Sequence, residues 1–179
     1  MNDTSAGGGP EQPAAHESDA VLGAVGRLEV MVSGIPGARI AADVVPGDFA
    51  DVWLVMGDLE GGFGRFQPDM RDLRVTHREG ERVTAYARSR FGFRARLHGV
   101  VRPGWCWLQS RFLVIGMAAE PLPDGTPGTR VALTGGVRVP GRAAIVPVGA
   151  ERELHRALTR LRTELAATPA GGTDPTPYD

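Results

Sequence analysis

The chain has 179 residues, 42% of them hydrophobic, which is enough for one folded domain with a buried core. Its 20 basic and 21 acidic residues nearly cancel, so no overall field recruits nucleic acid or an anionic membrane. Every one of these basic residues is arginine, and glycine and proline are abundant, a bias that indicates a GC-rich bacterial genome. With a single cysteine, no secretory signal and no apolar run long enough to span a bilayer, we expect a cytoplasmic protein without a membrane anchor.

Both ends of the chain are predicted to be disordered tails, at residues 1–20 and 168–179, because they are too polar and too rich in glycine and proline to bury a core. The folded domain is expected over residues 21–167. Within it, residues 28–34 are predicted to be an extended piece, followed by a bend at Gly34, Pro36 and Gly37 and a strand at 38–44.

A first helix is predicted to begin after Pro46 and to end near Gly57, because the apolar residues between them recur at helical spacing. The glycine-rich segment that follows, residues 59–68, is predicted to be a loop or a single helical turn. It carries two aromatic rings, Phe63 and Phe66, which could form a lid over a cavity.

Six further segments are predicted to be extended. Residues 73–78 and 83–88 form a predicted hairpin in which His77 shares a face with Leu73 and Val75. Residues 93–99 form the next strand, with Phe93 and Leu97 inward. Residues 105–110 follow a turn, residues 111–120 continue extended either as a bent prolongation or after a tight turn, and residues 131–137 form the last strand.

The C-terminal helix is the clearest element of the sequence. Its apolar residues recur at intervals of three and four and form one stripe, which includes Leu154, Leu158, Leu161 and Leu165. Charged residues occupy the opposite side. The helix is therefore predicted to lie on the sheet, and its start, at Gly149 or earlier with a kink at Pro147, is left open.

This order of elements resembles the START-like helix-grip superfamily, also called SRPBCC, which includes polyketide cyclases and birch-pollen-allergen-like proteins. The matching stretches are IAADVVPGDFADVW at residues 40–53, as the entry of a strand into a helix, and PLPDGTPGTRV at residues 121–131, as a hairpin. The resemblance implies an α+β fold, in which a curved antiparallel sheet of about seven strands wraps around a long C-terminal helix. It also implies a deep apolar cavity for lipids, polyketides or other hydrophobic small molecules, and no fixed catalytic residues.

The predicted ligand-binding residues fall in two groups. Trp105, Trp107, Gln109 and Arg111 share one face of a strand by period two, so two indole rings and two polar anchors would line the cavity if that face is the inner one. The alternative is that the tryptophans are ordinary core and Arg111 points to solvent. The remaining predicted lining residues come from other segments: His77, Phe93, Leu97, Phe63, Phe66, Leu154 and Leu158.

The sequence context argues against metal binding, phosphate binding, serine catalysis and RNA binding. One cysteine and scattered histidines offer no metal-ligand spacing, and the glycines at 61–64 do not follow a parallel strand as a phosphate-binding loop would. No serine lies in a nucleophile elbow. The alternating arginines of the central strands are interpreted as a solvated outer face rather than as an RNA-binding stripe, so no metal, cofactor or nucleic acid is expected.

Three functions remain. The favoured hypothesis is binding of a hydrophobic small molecule, by a monomer or a homodimer. The second is an aromatase or cyclase in which His77, Gln109, Arg111 and Tyr86 assist enolisation or dehydration. The third is a protein-interaction module with a vestigial cavity. A cavity of a few hundred cubic ångströms would favour the first two, and a packed interior would favour the third.

Overall fold

The computed structural model describes residues 22–67, 70–137 and 150–167; the predicted tails and the possible kink at Pro147 lie outside these residues. The helices are α1 (Ala24–Ser33), α2 (Phe49–Gly57), α3 (Phe63–Phe66) and α4 (Ala150–Ala167). The strands are β1 (Ile40–Val45), β2 (Met70–Glu79), β3 (Arg82–Ser89), β4 (Arg94–Arg102), β5 (Trp105–Gln109), β6 (Leu113–Pro121) and β7 (Thr129–Val137).

The seven strands form one antiparallel sheet in the order β1-β7-β6-β5-β4-β3-β2. Strands β2 to β7 are joined by consecutive hairpins. The last strand, β7, then pairs with β1, which forms one edge of the sheet. Because α2 and α3 interrupt the chain between β1 and β2, these two strands end up at opposite edges. The sheet is curved, and its inner side packs against α2, α3 and α4 in the larger of two hydrophobic clusters. This confirms the predicted helix-grip architecture.

The segment predicted as an extended piece at 28–34 is instead helical, since residues 28–33 belong to α1 and Gly34 is its C-cap, and this correction adds an element to the fold. Val25, Leu28 and Val32 are spaced by three and four residues and are buried, which is the stripe of an amphipathic helix. They pack on the outer side of the sheet against Ala118 and Ala132. The stretch of residues 28–45 is rich in valine, isoleucine and alanine, which suggested extended structure, but the spacing of the buried residues in α1 is helical.

His77 does not lie on the face predicted for it, because β2 contains a β-bulge. The register shifts between Val75, which lies opposite Ala85, and His77, which lies opposite Thr84. The extra residue turns His77 away from the face of Leu73 and Val75, and its side chain is exposed. Strict alternation therefore fails at this point, although the hairpin itself is confirmed.

Helix α4 closes the inner side of the sheet. Leu154, Leu158 and Leu161 are buried in the inner cluster, and Arg162 at the rim donates to Asp43 Oδ2 at 2.7 Å and to the Val44 carbonyl at 3.0 Å. The ion pair fixes the helix to β1, while the leucines bury its apolar stripe. The predicted docking of the helix on the sheet is confirmed.

No helix in the described part of the chain has both the length and the apolar composition required to cross a membrane.

Candidate functional site

The candidate site is the space between the concave face of the sheet and α4. The side chains that enter it from the sheet are small or aliphatic, and those of the central strands include Ala85, Ala87, Leu97, Cys106, Leu108, Ile115 and Met117. Facing them are the leucines of α4 and the two rings of α3. In the described residues this inner cluster contains one ionisable side chain, that of Cys106. The site is therefore suited to apolar contacts.

Helix α3 fills the space under α4 with two aromatic rings. Phe63 and Phe66 are 1% and 0% exposed, and their rings meet edge to face with centroids 5.5 Å apart. The helix is a single turn, and Arg65 on its outer side lies 3.8 Å from Glu164 of α4. The predicted single helical turn is confirmed, and its rings occupy the interior of the domain.

The structure brings five of the predicted lining residues together. They share the inner cluster and come from α3, β4 and α4: Phe63, Phe66, Leu97, Leu154 and Leu158. All five side chains are buried in this cluster, so the sequence analysis placed them on the inner side of the fold.

The interpretation in which Trp105 and Trp107 lie on the inner face of β5 is wrong, and the alternative, that the tryptophans are ordinary core and Arg111 points to solvent, agrees with the structure. Cys106 and Leu108 point inward, whereas Trp105 and Trp107 pack on the outer side with the α1 cluster. The ring of Trp107 lies over its cross-strand neighbour Gly116, where an added Cβ would come within 2.9 Å of it. The tryptophans support α1 and do not enter the space beneath α4.

The polar anchors predicted for the cavity also lie elsewhere. Gln109 is exposed on the outer face, Arg111 is exposed in the turn after β5, and Phe93 is 76% exposed in the turn before β4. Together with exposed His77 and Tyr86, this placement removes the four groups on which the aromatase or cyclase hypothesis relied. The described residues also contain no group of three or more His, Cys, Asp or Glu side chains that could hold a metal ion.

Sequence reasoning missed Cys106 and Leu108 as interior residues because both sets of alternating residues in β5 are apolar. Periodicity shows that residues 106 and 108 share one face, but it cannot tell which face is inside. The signal that could have decided it is Gly116, a residue without a side chain opposite the large ring of Trp107. Such a pair indicates a face on which aromatic side chains lie flat over the sheet.

Cys106 gives a testable measure of how closed this interior is. Burial raises the pKa of its thiol from 9.0 to about 12. We expect a thiol reagent at pH 8 to leave the folded protein unmodified and to react fully after denaturation.

Because the folded-state pKa is the higher one, the thiol's contribution to stability is complete below pH 9 and is lost as the pH rises towards 12. A Cys106→Ala variant is expected to lack this component of the alkaline destabilisation, and rapid labelling of the folded wild type would contradict the closed interior.

Two of the open depressions in the described part of the chain lie away from the space between the sheet and α4. One, of about 480 Å³, is on the exposed side of α4 beside Glu151 and His155. The other, of about 370 Å³, lies between α1 and β1 near Val32 and Ile40. Since Phe63, Phe66 and Leu97 have almost no accessible surface, protein atoms fill the space beneath α4 that these side chains line.

The fold is the START-like helix-grip fold, and comparison with solved structures shows this. The Zhui aromatase/cyclase from a Streptomyces species superposes with a TM-score of 0.56 at 14% identity, over 75% of this chain and 98% of that one. A protein from Thermus thermophilus gives 0.53 at 19% identity, over 74% and 99%. A START superfamily protein from Mycobacterium smegmatis gives 0.51 at 15% identity, over 73% and 97%. No protein-family model and no curated protein matches the sequence.

Proposed function

We propose that the protein binds a hydrophobic small molecule, a lipid or a polyketide-like compound, between the concave face of the sheet and α4. The observation that carries this proposal is the character of the interior. Small side chains such as Ala85 and Ala87 lie on the concave face at β3, and the rings of α3 fill the space above the sheet. A small molecule with the same flat apolar surface as these rings could take their place.

Among the elements that enclose the space between the sheet and α4, helix α3 can move with the smallest loss of free energy. A single helical turn is not stable by itself, and Gly61, Gly62 and Gly64 give its backbone freedom to rearrange. On the outer side of α3 the ion pair of Arg65 and Glu164 joins the helix to α4. Ion pairs exposed in this way contribute little to the free energy of folding. Ligand entry by withdrawal of Phe63 and Phe66 therefore leaves the sheet and α4 in place.

The test is binding to the full-length protein. Native mass spectrometry against lipids and aromatic polyketides is expected to show a one-to-one adduct, and the same compounds are expected to raise the midpoint of thermal unfolding. A ligand at 100 times its Kd stabilises the folded state by about 2.7 kcal/mol, which moves the midpoint by several degrees in a domain of this size. If no compound in either set binds, the proposal is wrong.

A cross-link supplies the matched control for the route of entry. In an Arg65→Cys/Glu164→Cys variant, a short bifunctional maleimide is expected to join α3 to α4, while the buried thiol of Cys106 stays unmodified. We expect the cross-linked protein to lose ligand uptake. The same variant treated with a monofunctional maleimide is expected to keep it, and equal uptake by both would exclude α3 as the gate.

A protein-interaction role is the second candidate, and the filled interior favours it. If the space beneath α4 stays occupied by Phe63 and Phe66, the inner face has no guest and the outer surfaces carry the function. The ligand screen separates the two candidates, because only the first predicts a bound small molecule.

A further inference from the structure

The turns of two hairpins in the sheet contain the same tripeptide. Ser89-Arg90-Phe91 follows β3, and Ser110-Arg111-Phe112 follows β5. Strands β3 and β5 run in the same direction on either side of β4, so both turns emerge at the same end of the sheet. From the strand spacing and rise, the turns lie on the order of 15 Å apart.

The two turns also have the same geometry. The Ser89 hydroxyl oxygen accepts from the backbone N–H of Phe91 at 3.2 Å, and that of Ser110 accepts from Phe112 at 3.1 Å. In each turn the arginine guanidinium lies over the phenylalanine ring, 5.6 Å from its centroid. The hydroxyls fix the backbone, and the exposed surface of each turn is a cation beside an aromatic ring.

These turns expose more apolar surface than a solvated loop requires. Phe91 and Phe93 are 70% and 76% exposed, and Phe112 is 47% exposed. Three of the six phenylalanines of the chain therefore lie at one end of the sheet, in contact with water. Aromatic rings on protruding turns can enter the interfacial region of a bilayer without changing the fold.

The stretch of sequence that contains these rings carries charge of one sign. Between Glu81 and Glu120 the chain has no acidic residue, and it has seven arginines: Arg82, Arg88, Arg90, Arg94, Arg96, Arg102 and Arg111. The near-neutral net charge of the chain therefore conceals a strongly basic region. It lies on β3, β4 and the two turns, and the compensating acids lie in the rest of the sequence.

Most of this positive charge has no ion-pair partner among the residues that the structure describes. Arg90, Arg94 and Arg111 form no ion pair in the described residues. Arg88 lies opposite Arg94 on β4, a like-charge pairing that destabilises a sheet, and opposite Asp72 on β2. Its buried Nε has no hydrogen-bond partner among the described residues. An external anionic surface would relieve this repulsion.

We propose that this end of the sheet, the two Ser-Arg-Phe turns with Phe93 and Arg94, is a docking surface for an anionic lipid bilayer. The rings enter the interfacial layer, and the arginines contact acidic head groups. A bilayer fits better than an acidic protein because the rings protrude from convex turns and need no complementary pocket. The docking does not depend on a bound ligand, so it is tested independently of the proposed function.

The test is flotation of the full-length protein with vesicles. We expect binding to phosphatidylcholine vesicles that contain phosphatidylglycerol and none to phosphatidylcholine alone. Changing Phe91→Ser/Phe93→Ser is expected to weaken binding on the order of tenfold or more, and Arg90→Gln/Arg94→Gln similarly, since each arginine near an anionic surface contributes about 1 kcal/mol. A Phe91→Trp reporter is expected to show blue-shifted emission on the anionic vesicles.

Matched controls use the same substitutions elsewhere. Leu54→Ser removes a side chain of α2 that is 71% exposed, and Arg152→Gln/Arg160→Gln removes two exposed charges of α4; both are expected to leave binding unchanged. Absence of binding to the anionic vesicles, or binding that the Phe91 and Phe93 changes do not weaken, would overturn the proposal. Retention on single-stranded RNA without vesicle binding would overturn it in favour of a nucleic-acid surface.

Discussion

Replacing Phe66 by alanine is expected to lower the free energy of unfolding by about 3–5 kcal/mol. The ring is fully buried, lies edge to face against Phe63, and joins α3 to the inner cluster. Its removal takes away both the apolar area and the aromatic contact, and neighbouring side chains refill the space only in part. Denaturation in guanidinium chloride, followed by circular dichroism, measures the change.

Phe93→Ala is the matched control, because it deletes the same atoms from a ring that is 76% exposed. We expect its unfolding free energy to stay within about 0.5 kcal/mol of the wild type. The Phe66 variant is also expected to bind small aromatic molecules such as benzene, since empty apolar cavities take up such guests. A Phe66 variant as stable as the Phe93 variant would mean that α3 does not fill the interior.

Replacing Leu161 by alanine is expected to cost about 2–5 kcal/mol, because it removes the centre of the contact between α4 and the rest of the inner cluster. Leucine and alanine both favour the helix, so the loss measures packing and not helix formation. The thermal midpoint is expected to fall accordingly, and differential scanning calorimetry measures it.

The control for this change is Leu54→Ala on α2, where the leucine is 71% exposed and the same atoms are deleted. We expect little effect there, because the side chain is already in water. Equal losses in the two variants would contradict the docking of α4 on the sheet, on which the proposed binding site depends.

The parts of the fold that the sequence predicted best have local signals. The hairpin of β2 and β3 has alternating residues on both sides of a tight turn, and α4 has an uninterrupted stripe of leucines. In α4 the periodicity alone identifies the buried side, and in the hairpin it does so except at the bulge before His77. The same is true of Leu97, Leu154 and Leu158, which occupy the inner cluster as predicted.

The errors have a common physical cause, which is that packing and strand pairing, and not the local pattern of residues, decide them. Helix α1 is stable because Leu28 and Val32 pack on the outer face of strands that follow about 90 residues later. The bulge before His77 depends on the pairing of β2 with β3. Neither partner can be inferred from the local window of residues in which a strand or a helix is assigned.

The sequence by itself determined seven extended segments and a terminal amphipathic helix, because hydrophobic periodicity and turn residues are local properties. The arrangement of these elements as a helix-grip fold was what their resemblance to the START-like superfamily implied. Only the tertiary structure decided which face of β5 is inside. Both of its faces are apolar and both are covered, one by α4 and its neighbours and the other by α1, so the choice follows from how the layers pack. That choice places Cys106 and Leu108 inside the domain and Trp105 and Trp107 under α1.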